Sequence, residues 1–344
     1  MKRSQQRSVA GSEVEDFQAG CFQLIVPPPM AATYTRHLGA PSGDGAVRER
    51  ALQLGPEGEL VGVLAAPAEA PPPGARPVVV FLNAGVIHRV GPHRLHVILA
   101  RRLAARGVTS LRLDLSGIGD SRALPGALSF RQSAVADTQT AMDWLAAGTG
   151  ARRFVLFGLC SGADNALATA AADARVAGIV IVDPPAYVTP RARARKLARR
   201  FGRVRSIDGV RELAAWGARA VTRRVVARLS AVTALRPPAP PPPPVDDPAG
   251  VDQDGFTGGR ELPSPAAYRA QLAALVDRGV GVLAVYSGAL GDRYNHEDQL
   301  FELFPELRGR VDRAYFPTAN HTFTELAAQA ALATTVTGWI DGRR

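Results

Sequence analysis

The chain has 344 residues, 46% of them hydrophobic, and its 41 Lys and Arg outnumber 31 Asp and Glu for a net charge of +10. That length holds one large α/β core with an insertion, or two modest domains. Two cysteines, Cys21 and Cys160, cannot build a disulfide framework, and no stretch of about 18 apolar residues marks a membrane span. The polar start, Met1 to Phe17, lacks the apolar segment of a signal peptide, so a cytoplasmic location is expected. The positive charge suits an acidic partner, an anionic membrane surface or nucleic acid. With neither zinc-finger spacing nor an aromatic RNA-binding signature, no nucleic-acid binding is expected.

Residues 1–47 read as a polar N-terminal arm, broken by Pro27-Pro28-Pro29, in which Phe22 to Val26 could add an edge strand. Alternation over Ala51–Leu54 and Leu60–Leu64, with the turn Gly55-Pro56-Glu57-Gly58 between, predicts a β-hairpin. A Pro-rich surface loop follows from Ala65 to Arg76. Pro77 to Leu82 is a buried strand, and Leu95, Ile98, Leu99 and Leu103 stand at helical spacing between His93 and Arg106. Val108 to Leu113 is a further strand, and a helix spans Phe130 to Ala147. Strands at Val176 to Val182, Val280 to Tyr286 and Val311 to Phe316 follow, with helices at Ser264 to Arg278, Asp298 to Phe304 and Thr322 to Ile340. Strands alternating with helices predict an α/β class with a mostly parallel central sheet and helices on both faces.

The stretch Arg153 to Thr169, RFVLFGLCSGADNALAT, organises the rest. Phe154 to Phe157 predicts a buried strand, Gly158-Leu159-Cys160-Ser161-Gly162 a sharp turn, and Ala163 to Ala170 a helix. A strand, a glycine-flanked turn and a helix are what a nucleophile elbow requires, because the strained central residue needs small neighbours. Cys160 occupies that centre. It would stand at a helix N-terminus, where the dipole favours a thiolate, and the N–H of Ser161 would face a developing oxyanion. Ser161 as nucleophile would put Leu159 and Ala163 where the glycines belong, a poorer fit. An inert buried thiol is the other reading.

With the elbow, FLNAGVIHRVGPHR at 81–94 and RLDLSGIGDS at 112–121 make the chain resemble the α/β-hydrolases over roughly residues 50–185 and 265–344. The two loops resemble those of serine-aminopeptidase-like and monoglyceride-lipase-like hydrolases. The NAG…HRVGPHR, DLSGIGDS, GLCSGAD and YN…ANHTFT set is similar to the hydrolases associated with bacterial exosortase systems. Cys160 stands where most members carry Ser, and dienelactone hydrolases resemble the chain in this. The resemblance implies an α/β-hydrolase fold, with core at 48–185 and 264–344 and a cap insertion with basic helices and a Pro-rich loop at 186–263.

The resemblance also implies a triad in the order nucleophile, acid, His. Of six histidines, His321 in Ala319-Asn320-His321-Thr322 sits in the loop where the family carries its catalytic His. Asp292, after the Val282 to Tyr286 strand, best fits the acid, with Glu297, Asp298 and Asp183 as alternatives. Gly85 would give the second oxyanion N–H, with Val86 next. Asn83, Val86, His88 and His93 could line the substrate pocket. Asp114 and Asp120 read as structural loop residues. No metal or organic cofactor is implied.

The expected function is hydrolysis of an ester, thioester or reactive amide through Cys160, His321 and Asp292 and a covalent acyl-enzyme. Acyl transfer at the same site, and a non-catalytic binding protein on a hydrolase scaffold, are the other classes. Within the insertion, residues 191–205 pack eight cations into fifteen positions. Leu197, Phe201 and Val204 form a stripe expected to pack over the mouth of the site, leaving an outer face for an acidic carrier protein or an anionic membrane surface.

Overall fold

The computed structural model describes residues 47–69, 71–123, 128–203, 262–291 and 293–342. Eight strands form one sheet: β1 (Val47–Leu54), β2 (Leu60–Pro67), β3 (Val78–Phe81), β4 (Ser110–Asp114), β5 (Phe154–Leu159), β6 (Val176–Val182), β7 (Gly281–Ser287) and β8 (Asp312–Phe316). Their order is β1-β2-β4-β3-β5-β6-β7-β8. β2 pairs antiparallel with both β1 and β4, and every other pairing is parallel. The expected mostly parallel sheet is therefore present, and the strands predicted from Ala51 onward coincide with the observed ones to within about four residues, while Phe22 to Val26 lies outside the described residues.

Seven α-helices accompany the sheet among the described residues: α1 (Leu95–Ala104), α2 (Phe130–Thr149), α3 (Ser161–Ala172), α4 (Pro190–Arg203), α5 (Pro265–Asp277), α6 (Gln299–Leu303) and α7 (Leu326–Asp341). β3, β5 and β6 carry no polar side chain because helices cover both faces. Val80, Leu156, Ile179 and Ala284 face α2, α3 and α5 in one core, while Val79, Phe157, Val180 and Leu283 face α1 and α7 in the other. Phe81, Phe154 and Phe157 are almost completely buried, each contributing about 1.5–3 kcal/mol. Local signals start the helices. Ser129 and Gln132 form a capping box on α2, and the Ser264 hydroxyl accepts from the Ala267 N–H ahead of Pro265 at the first position of α5. None of the described helices is long and apolar enough to cross a membrane.

The chain leaves β3 for β4 on one side and later returns to β5 on the other. The carboxyl ends of β3 and β5 thus form a topological switch point, where open α/β sheets hold their ligands. Two loops beside it are clamped by Asp114, which is fully buried. Its carboxylate accepts from the backbone N–H of Arg89 at 2.5 Å and the Asn83 amide at 3.1 Å, and it pairs with the Arg89 guanidinium. Arg89 also reaches Asp120 at 2.6 Å. Asp114 and Asp120 are thus structural, as expected. A separate cavity of about 710 Å³ opens at the opposite edge, lined by Arg48, Arg50, Pro67, Pro73 and Thr109. It lies at the amino ends of β3 and β4, away from Cys160.

Candidate active site

Cys160 joins β5 to α3 with φ 58° and ψ −120°, a conformation that costs free energy in any residue with a side chain. Its neighbours show why the turn needs two glycines. A Cβ on Gly158 would lie 2.0 Å from the Gly162 carbonyl oxygen, and one on Gly162 would lie 2.6 Å from the Asn83 carbonyl oxygen. The spacing Gly158-x-Cys160-x-Gly162 is therefore a steric requirement, and it centres the elbow on Cys160 rather than Ser161. The backbone is further held by the Cys160 N–H, which donates to the Val182 carbonyl at 3.0 Å. The thiol is partly exposed.

His321 follows β8 in a self-clasped loop. The Thr324 N–H donates to the Asn320 side chain at 2.9 Å, and the Asn320 amide donates to Thr324 Oγ1 at 2.8 Å. Phe323, fully buried in a left-handed conformation against Phe316, pins this loop to the core. The imidazole Nδ1 lies 2.7 Å from Oδ2 of Asp183. Burial works against the charged ring. Hydrogen bonds to Asp183 and Cys160, and the negative charge of both, outweigh burial and push its pKa up to about 9.

Asp183 stands immediately after β6 with φ 49° and no solvent exposure. Besides His321 it accepts from the Ser287 N–H and the Ser287 hydroxyl, each at 2.7 Å. The carboxylate beside His321 is thus one of the three named alternatives to Asp292. Asp292 itself lies outside the described residues. Ser287, which holds Asp183 from the end of β7, was not anticipated as a site residue. Its only sequence signal is its place at the carboxyl end of a buried strand.

The remaining expected residues divide. Gly85, with φ 56°, directs its N–H to the Ser161 hydroxyl at 2.8 Å. The two expected oxyanion donors therefore face one another across the switch point, with the Ser161 hydroxyl resting on the Gly85 N–H. Val86 is 89% exposed at the mouth, and His88 is exposed. Asn83 is a correction to the pocket-lining expectation. It is buried, and its amide is spent on the Leu115 N–H, the Ile87 carbonyl and Asp114. His93 is better placed than Asn83. It and Arg94 adopt left-handed conformations, and its Nε2 lies 3.1 Å from Thr324 Oγ1 and 3.3 Å from Thr322 Oγ1. It therefore joins the loop after β3 to the loop of His321. His96 is fully buried against Phe81 and Phe157, and burial reinforced by Arg112 pushes its pKa down to about 3.

In the segment expected to form a cap, α4 differs from the expected arrangement. Leu197 is exposed, whereas Ala192 is buried and Arg195 turns inward. Arg195 pairs with Glu302 at 2.5 Å and donates to Asn295 at 2.9 Å, and Arg199 donates to the Asn295 carbonyl at 2.9 Å. The helix is therefore seated through its arginines, because Glu302 and Asn295 offer acceptors that Leu197 cannot use. The side chain of Phe201 and all of Val204 lie outside the described residues.

A family model described as serine aminopeptidase, S33, matches residues 75–224. That match covers the elbow and both loops of the switch point. The chain has the α/β-hydrolase fold. Three solved structures are similar to it. A puromycin-hydrolysing peptidase of Mycobacterium tuberculosis is 19% identical, with a TM-score of 0.50, and the alignment covers 88% of this chain and 40% of that one. A thermophilic esterase of Thermogutta terrifontis is 17% identical, TM-score 0.46, over 86% of this chain and 98% of that one. An α/β serine hydrolase without a lid from Xanthomonas campestris is 15% identical, TM-score 0.44, over 85% and 94%. No curated protein matches the chain. Among the described residues, Cys160, His321 and Asp183 form one hydrogen-bonded series at the switch point.

Proposed function

We propose that this α/β-hydrolase cleaves esters, thioesters or reactive amides with Cys160 as nucleophile, His321 as base and Asp183, rather than Asp292, as the orienting acid. The observation that carries the reading is the series itself. The thiol at the strained elbow hydrogen-bonds a histidine whose other side is held by a buried carboxylate. Serine is the usual nucleophile of the matched family, so the thiol is a departure within an otherwise ordinary layout.

The Nδ1 of His321 is engaged by Asp183, which leaves Nε2 for Cys160. With its pKa pushed up to about 9, His321 is an imidazolium at neutral pH, and its charge favours the thiolate form of Cys160. The thiolate attacks the acyl carbon and forms a C–S bond, while the carbonyl oxygen gains charge. The Ser161 N–H receives that charge at the free first turn of α3, and the Gly85 N–H transfers to it from the Ser161 hydroxyl. His321 then gives its proton to the departing alkoxide, thiolate or amine as the bond from acyl carbon to leaving group breaks. Water, deprotonated by His321, attacks the acyl-enzyme, the C–S bond breaks, and the acid leaves with the thiolate restored. Asp183 keeps the imidazole oriented and stays ionised throughout.

The deciding test pairs two variants on a chromogenic short-chain ester. Cys160→Ala abolishes turnover and the acyl-enzyme mass adduct, whereas Ser161→Ala keeps most of both. Full turnover in Cys160→Ala defeats the mechanism.

A further inference from the structure

The exposed apolar side chains are distributed unevenly. Among the described residues every large one that is exposed lies at the carboxyl edge of the parallel strands, around Cys160, and none lies at the opposite edge. Val86, 89% exposed, and Ile87 follow β3. Leu128 and Phe130 stand at the start of α2, on the loop that follows β4. Leu326, 80% exposed, opens α7 directly after the His321 loop. Val188 precedes α4 and Leu197 lies on it. Scattered singly, such residues need no explanation; gathered on one edge from four or more loops, they mark an interaction surface.

Cations stand among them. Arg131 adjoins Phe130, Arg94 follows the loop of Val86, and Arg191 and Arg193 lie on the outer side of α4. All four are exposed and make no ion pair among the described residues. Several carboxylates on that edge are already spent: Asp120 on Arg89, Glu302 on Arg195 and Asp298 on Arg313. The edge therefore presents protruding apolar groups among guanidinium groups that make no ion pair among the described residues, with the exposed carboxylate of Glu325 beside Leu326.

Resting on the function proposed above, we propose that this edge docks on an anionic lipid surface, and that the substrate is an acyl compound drawn from that surface into the site. Charge complementarity selects the sign of the surface. The apolar groups select lipid over a soluble acidic protein, since side chains projecting from several separate loops enter an acyl layer together without needing matching pockets. Each cation near an anionic membrane strengthens binding about fivefold at low salt, and the attraction weakens as salt screens it.

The test uses the full chain carrying Cys160→Ala, so that binding is read without turnover. Its sedimentation with phosphatidylcholine vesicles is compared with that on vesicles also containing phosphatidylglycerol. The expected result is capture by the anionic vesicles alone, falling with salt. Joint replacement of Arg131, Arg191 and Arg193 by Gln weakens capture about a hundredfold, and Phe130→Gln with Leu326→Gln weakens it about tenfold. Equal capture by neutral vesicles, no capture, or capture indifferent to both sets overturns the proposal. Capture by a purified acidic acyl carrier protein through the same arginines, in place of vesicles, also overturns it. Turnover of a water-soluble ester by the unmodified chain is measured separately. Turnover without vesicle binding rejects this surface and leaves the thiol mechanism standing, and vesicle binding without turnover does the reverse.

Discussion

Nδ1 of His321 lies 2.7 Å from Oδ2 of Asp183, a carboxylate that solvent does not reach. The two residues are 138 positions apart and follow strands β8 and β6, with β7 running between them. Ser287, at the end of that intervening strand, donates two hydrogen bonds to the carboxylate and keeps it from turning away. This arrangement predicts that Asp183→Asn lowers kcat by about 10³–10⁴-fold, the scale of a mis-set tautomer in other triads, while Asp292→Asn leaves it within a few-fold. A kcat measurement on both variants decides between the two carboxylates, and a large loss in Asp292→Asn alone rejects Asp183.

The raised pKa of His321 has a signed consequence for stability. The group binds its proton more tightly folded than unfolded, so its contribution is complete below pH 6.5, the ordinary histidine value, and is lost as pH rises through about 9. The wild-type chain should therefore exceed His321→Gln in Tm by the most below pH 6.5 and converge toward it above pH 9. Melting curves across that range check the sign, and a gap that widens with pH contradicts it.

The same pairing predicts thiol reactivity. Cys160 should react with iodoacetamide at pH 6–7 at a rate far above that of an ordinary thiol, whose pKa is about 8.5. His321→Gln should move the pH midpoint of alkylation upward by at least one unit. Mass spectrometry of the Cys160 peptide in Cys21→Ser reads this directly, and an unmoved midpoint removes His321 as its partner.

The elbow glycines predict a packing effect. Gly162→Ala puts a methyl group 2.6 Å from the Asn83 carbonyl, where backbone must shift. Overpacking of this kind costs about 1–3 kcal/mol, and the displaced Asn83–Gly85 loop carries the proposed oxyanion donor. Urea unfolding should show the loss, with turnover falling further than stability explains. A stable, fully active Gly162→Ala shows that the turn relaxes more freely than its contacts imply.

Asp114 predicts a structural effect away from Cys160. Replacing it by Ala leaves the part-buried Arg89 guanidinium and three N–H donors without their shared acceptor. Breaking such a buried pair costs about 3–5 kcal/mol. Equilibrium unfolding in urea measures it, and a change below about 1 kcal/mol shows the clamp to be dispensable.

Local signals in the sequence determined much of this protein. Uninterrupted apolar runs marked β3, β5 and β6, because a parallel sheet covered on both faces favours apolar side chains along its strands. The glycines at 158 and 162 marked Cys160, because the turn's steric demands are met by immediate neighbours. The loop Ala319 to Thr322 marked His321 through its likeness to a known family. The carboxylate that stands beside His321 was decided by tertiary structure alone. Asp183 and Asp292 both follow buried strands, and sequence order cannot say which carboxylate meets the imidazole. That depends on strand order, on the left-handed backbone at Asp183 and on Ser287 donated from the adjacent strand. The seating of α4 was likewise hidden. Its apolar stripe pointed to Leu197 as the buried side, but Arg195 is held there by Glu302 and Asn295, about a hundred residues away. A cation's burial depends on its partners, and those partners are gathered only when the chain folds.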